Sequence, residues 1–291
     1  MNHDEKKLEL QRQRKAWDKY RECVRDRWNK NAINRMMNNG SRWRLLGFTR
    51  NLHISMQNNI DELRCKILPL SNEEQQFADA FMGKNFFIVH ATNANLTNNP
   101  AKNLLIYSSC RLKVNKIEFP EHNSSYQDRF GLGNDDYVFF SLEVGNTLQK
   151  PYSIFGLNFF RIPYKRENMA LRHSVMTLID QIKLEPPKSR MIKNISESAR
   201  KHLETRNFTR EKTHFCGIDN CLEGLLYSIV LEIRDLGNYS WMKNDANLIL
   251  SARTDDEINQ VINGLFRPEV RVPKMVGIPS GFYQVTMNKR F

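Results

Sequence analysis

Strand-like and helix-like segments do not alternate along this chain, and that excludes the doubly wound architectures. Strand-like runs of aromatic and β-branched residues fall at 84–90, 104–110 and 137–144, and late in the chain at 269–272 and 281–287. Between the two groups the apolar spacing is helical, over about 167–183, 190–206 and 222–234. A doubly wound sheet needs a helical crossover after each strand, so grouped strands and grouped helices predict an α+β fold.

Local signals sharpen the helices. Ser71-Asn-Glu-Glu74 puts a hydroxyl at an N-cap and a carboxylate three residues on, which predicts a helix through Met82 that stops at Gly83. Thr254-Asp-Asp-Glu257 repeats the pattern and opens a helix to Gly264. The most apolar helix, 222–234, closes at Gly237, and Pro273 breaks the strand at 269–272.

Charge divides the chain in two. The 291 residues carry a net +12, and residues 1–66 hold 16 Lys and Arg against 8 Asp and Glu, a net of +8. This quarter also holds Trp17, Trp28 and Trp43, contains no proline, and reads as helix interrupted near Asn38-Asn39-Gly40 and at Gly47. The expected organisation is a basic helical arm at 1–70 and a mixed domain at 71–291. The arm suits a solvated helix, a segment that docks in an acidic groove as calmodulin targets do, or one that binds nucleic acid or an anionic membrane. Asp18, Glu22 and Asp26 interrupt the positive charge, so docking on protein ranks above nucleic acid.

No run of 18 apolar residues exists, so no transmembrane helix is expected, and the charged start lacks the apolar stretch of a Sec signal. Five scattered cysteines argue against a disulfide framework and for a reducing cytosol.

Several chemistries fail on spacing. His214-Phe-Cys216 with Cys221 has no CxxC knuckle and no fourth nearby ligand, so no metal site is expected. Gly131-Leu-Gly133 runs into acids and a strand, unlike a Walker loop or a Rossmann fingerprint. No serine sits in a nucleophile elbow.

Three strand features remain: Phe-Ile-Val-His90-Ala-Thr92, Tyr137-Val-Phe-Phe-Ser141, and Glu269-Val-Arg-Val-Pro273 followed by Phe282-Tyr-Gln-Val285. In this order they resemble the ADP-ribosyltransferase superfamily. His90-Ala-Thr92 is similar to the His-Gly-Thr of its His-Tyr-Glu branch, with Ala in the Gly position. Phe139 falls where that branch has Tyr, and Tyr107-Ser-Ser109 is the alternative second motif. The charged, signal-free N-terminus also resembles host-directed type III effectors, including the arginine ADP-riboxanases and the ubiquitin-modifying transferases.

The resemblance implies a split β-sheet core with helices, binding NAD. It implies a mono-ADP-ribosyltransferase that modifies a host protein side chain in the host cytosol, exported without a Sec signal, with a possible host activator such as calmodulin. His90 would be catalytic with Glu269 and, together with Ala91, Thr92 and Ser108, would hold the cofactor, and Tyr107, Phe130, Phe139 or Phe140 would supply a stacking ring. Glu269 would hold the ribose 2′-hydroxyl and face the positive charge that develops as nicotinamide leaves, with Glu223 as its rival. An NAD glycohydrolase would use the same cleft, and a non-catalytic binding module would use the arm alone.

Overall fold

In the computed structural model, which describes residues 52–120, 137–150, 153–181, 184–209 and 212–287, seven strands join in one sheet. The basic arm up to residue 51 and Phe130 with its Gly131-Leu-Gly133 turn lie outside the described residues. In chain order the elements are α1 (Leu52–Ile67), α2 (Asn72–Met82), β1 (Phe86–Thr92), β2 (Leu104–Tyr107), α3 (Ser109–Val114), β3 (Tyr137–Val144), β4 (Asn158–Pro163) and β5 (Val175–Thr177). There follow α4 (Glu197–Glu204), β6 (His214–Cys216), α5 (Ile218–Gly237), α6 (Lys243–Leu250), α7 (Asp255–Leu265), β7 (Glu269–Pro273), β8 (Met275–Ile278) and β9 (Gln284–Met287).

The large sheet runs β6, β5, β7, β3, β1, β4, β9, while β2 and β8 form a separate two-stranded ribbon. Every described pairing is antiparallel. The fold class is α+β.

Both capping boxes form. Ser71 Oγ accepts from Glu74 N while Glu74 Oε2 accepts from Ser71 N, and Thr254 and Glu257 do the same. Glu74 also takes a bidentate bond from Arg234, at 2.6 and 2.7 Å, which ties α2 to α5.

One face of the large sheet is the core. Phe86, Ile88, Phe140, Leu142, Phe160, Met176, Phe215 and Val270 alternate onto it and pack with Phe77 and Phe81 of α2 and the apolar stripe of α5. Gly224 admits α5 to the sheet, because a Cβ there would stand 2.5 Å from the Phe215 ring. Helix α1 belongs to this body, with Ile60 and Ile67 fully buried in the core. Asn59 donates to the His214 carbonyl on edge strand β6.

Some elements depart from their sequence expectation. The helical pattern at 167–183 is a 3₁₀ turn at Met169–Leu171 followed by β5, because a fully buried apolar run reads alike as strand or helix. The 190–206 helix shortens to α4. Strand 104–110 stops at Tyr107, where Ser108 caps α3 by accepting from Arg111 N. Strands β4, β6 and β8 and helix α6 carried no recognisable signal.

Candidate active site

Residues directly opposed across an antiparallel pair share a face. The pairings Val89 with Ser141, Ser141 with Glu269, Glu269 with Thr177 and Thr177 with His214 therefore place these five side chains in one row. The row lies on the face opposite the core. Adjacent strands stand roughly 4.8 Å apart, so hydroxyl, carboxylate and hydroxyl follow one another at that interval across β3, β7 and β5.

Glu269 meets solvent, with 40% of its side chain exposed, and Ser141 beside it is half-buried. Thr177 is fully buried, and its Oγ1 has no hydrogen-bond partner among the described residues. A buried hydroxyl without a partner is uncommon in a folded protein, and here it lies in the strand next to the Glu269 carboxylate. Arg271, on the same face, donates through Nη2 to Glu269 Oε2 at 3.0 Å, and its guanidinium lies 5.2 Å from the centre of the Phe139 ring. Stacked and nearly buried, Arg271 holds one carboxylate oxygen and leaves the other for a ligand.

Further along this face a buried ion pair fastens the sheet. Arg161 donates to the Asn146 and Gly145 carbonyls at 2.8 and 2.7 Å and to Gln284 Oε1 at 2.7 Å. Its guanidinium rests 4.3 Å from the centre of the Phe87 ring and 3.7 Å from Glu143 Oε2. Burial pushes the Glu143 carboxyl above the usual range, against bonds from the Gln149 and Lys150 amides and the charges of Lys150 and Arg161. This pair is structural.

The sequence candidates divide between the two faces. Ala91, Phe139 and Glu269 share the outer face. His90 and Phe140 lie on the core face, their rings 5.6 Å apart, so His90 is not brought to Glu269. Nδ1–H of His90 donates to the Phe139 carbonyl at 3.0 Å, and burial lowers its pKa, which leaves a neutral imidazole. Thr92 Oγ1 accepts from Ala94 N in a local turn. Tyr107 lies on the β2–β8 ribbon opposite Met275, and the Ser108 hydroxyl is engaged as the cap of α3. Ser141, Thr177 and Arg271 were not singled out in the sequence. Alternation in Phe139-Phe-Ser141 and Glu269-Val-Arg271 put Phe139 with Ser141 and Glu269 with Arg271, but only the strand pairing joins the two sets.

Glu223 is committed elsewhere. Arg64 grips it at 3.1 and 2.6 Å, pinning α1 to α5 and holding its carboxyl below the usual range. Burial raises the Cys216 thiol to about 11 and raises Cys221 as well, so neither is a nucleophile. A hollow of about 220 Å³ beside α6 and α7 is lined by Ile192, Lys193, Leu248 and Asp256, among others, and none of its lining residues belongs to the sheet.

No known protein-family model matches the chain. Over 92 residues, 31% of its length, it is 28% identical to the arginine ADP-riboxanase OspC4 of Shigella flexneri. The matched stretch is 20% of the length of OspC4. The chain is thus similar in part to a bacterial arginine ADP-riboxanase.

Proposed function

We propose that the chain is an ADP-ribosyl-transferring enzyme that uses NAD to modify a side chain of a host protein, with Glu269 as its catalytic carboxylate. The observation that carries this reading is the row of Ser141, Glu269 and Thr177, in which a solvent-reaching carboxylate stands between two hydroxyls. The partial similarity to an arginine ADP-riboxanase supports the same chemistry.

The residues fit a ribose. Glu269 can accept from a sugar hydroxyl through the oxygen that Arg271 leaves free, and the half-buried Ser141 can add a contact beside it. Among the described candidates Phe139 is the ring on this face. NAD supplies the ADP-ribosyl group, with nicotinamide as the leaving group. Glu269 holds negative charge where positive charge develops, and loss of one such preorganised group typically lowers the rate by ~10²–10³. In this reading His90 stiffens the β1–β3 pairing rather than touching the sugar.

The test is nicotinamide release from labelled NAD by the wild-type chain and Glu269→Gln, with and without eukaryotic cytosolic extract. Release that falls by ~10²–10³ in the variant, with label on a host protein, supports a transferase acting as an effector. Release without label supports a glycohydrolase. Equal release by both proteins removes Glu269 from the chemistry, and no release even with extract removes the enzyme reading. Adding calmodulin to the same assay tests the activator role of the basic arm.

A further inference from the structure

A second cluster of polar and aromatic side chains lies away from the sheet, where α4, α5 and the turn into α6 meet. Trp241 is 68% exposed and Tyr239 37% exposed. Their ring centres stand 5.3 Å apart at an interplanar angle of 51°, and Tyr239 meets the His202 ring edge-on at 5.1 Å. The His202 imidazole lies 2.6 Å from Asp235 Oδ2. Three rings and a carboxylate thus form one continuous chain of contacts at the surface.

The nearest buried cation is spoken for. Arg206 pairs with Glu232 at 3.0 Å and donates to the Leu203 and Leu265 carbonyls. Among the described residues Asp235 has the His202 imidazole as its side-chain partner, and 51% of its side chain is exposed. Aromatic faces attract a cation within about 6 Å, and a neighbouring carboxylate adds to that attraction. On a chain of net +12, a local site for positive charge runs against the average field, so general electrostatics does not account for it.

We propose that His202, Asp235, Tyr239 and Trp241 form a binding site for an arginine or lysine side chain on an extended basic segment of a partner protein. The site stands apart from Glu269 and does not depend on the chemistry proposed there. The indole and phenol faces receive the cationic head while Asp235 offers its free oxygen. A short basic peptide is repelled by the rest of this basic chain, so binding would report the site itself.

The test is isothermal titration of the full chain with a blocked Gly-Arg-Gly-Arg-Gly peptide and its Gln-for-Arg counterpart. Binding is expected for the Arg peptide and a loss of tenfold or more for the Gln peptide. Trp241→Ala should weaken the Arg peptide by ~3- to 30-fold, and Trp241→Phe should recover most of that loss. Asp235→Asn should weaken it by ~2- to 5-fold. Trp241 is so exposed that its truncation leaves the fold intact, which circular dichroism checks. Absent binding, equal binding of the two peptides, or wild-type affinity in both Trp241→Ala and Asp235→Asn overturns the proposal.

Discussion

Replacing Arg161 with Met is the sharpest test of how this sheet is held. The guanidinium is 1% exposed, makes three hydrogen bonds to β9 and the Gly145–Asn146 turn, and faces the fully buried Glu143. Methionine keeps much of the volume and the contact with Phe87 but removes one of the two cations near Glu143, leaving Lys150 as the other. Removing one partner of a buried pair costs up to about 3–5 kcal/mol when the remaining charge is left uncompensated, and Lys150 and the Gln149 and Lys150 amides place the expected loss at the lower end, about 3 kcal/mol. Urea unfolding followed by circular dichroism should show that loss at pH 7. The variant should also acquire a pH dependence. Glu143 already titrates above its unfolded value of 4.5 because it is buried, and without Arg161 it moves higher still. A carboxyl raised in the folded state binds protons more tightly there than in the unfolded chain. Its stabilisation is therefore complete below about pH 4.5 and fades as pH rises through the folded value. Arg161→Met should regain stability on acidification, and adding Glu143→Gln should recover much of the deficit at pH 7. A deficit below about 1 kcal/mol, or losses from the two substitutions that simply add, would show that the pair does not clamp the sheet.

Other substitutions probe single contacts. Gly156 sits at φ +152°, where a Cβ would stand 2.0 Å from the Thr92 carbonyl carbon, so Gly156→Ala should cost about 2 kcal/mol or more in thermal or urea unfolding. Arg64→Met should cost only about 0.5–1 kcal/mol, since Arg64 is 40% exposed. The Glu223 carboxyl is held low by Arg64, so this contribution is present above pH 4.5 and lost as pH falls through the folded value, and the gap between variant and wild type should narrow as unfolding is followed to progressively lower pH. Alkylation at pH 8 followed by mass spectrometry should label exposed Cys65 quickly and spare Cys216, raised to about 11, and the buried Cys221.

Much of the fold was legible where a local interaction writes its own signature. The capping boxes at Ser71 and Thr254 and the strands at β1, β3 and β7 form where those signatures stand. β5 was not legible, since Val175 to Ile179 is buried throughout and carries no period that separates strand from helix. β4 was hidden because Arg161 interrupts an apolar run, and only the clamp explains a buried guanidinium there. The site was legible in part. Alternation divided Phe139 from Phe140 along one strand, but whether His90 shares a face with Glu269 depends on pairings among three strands drawn from distant parts of the chain. A one-residue difference in pairing exchanges the faces, and no local pattern records it.

The strand order has a consequence for how the polypeptide is made. β7 lies between β3 and β5, yet it follows every other strand except β8 and β9 in the chain. Until residues 269–273 leave the ribosome, β5 and β6 cannot be joined to the strands formed from the first half. Nearly the whole described body must therefore emerge before the sheet can close, and premature termination between β6 and β7 yields two incomplete halves with open edges rather than a smaller stable protein.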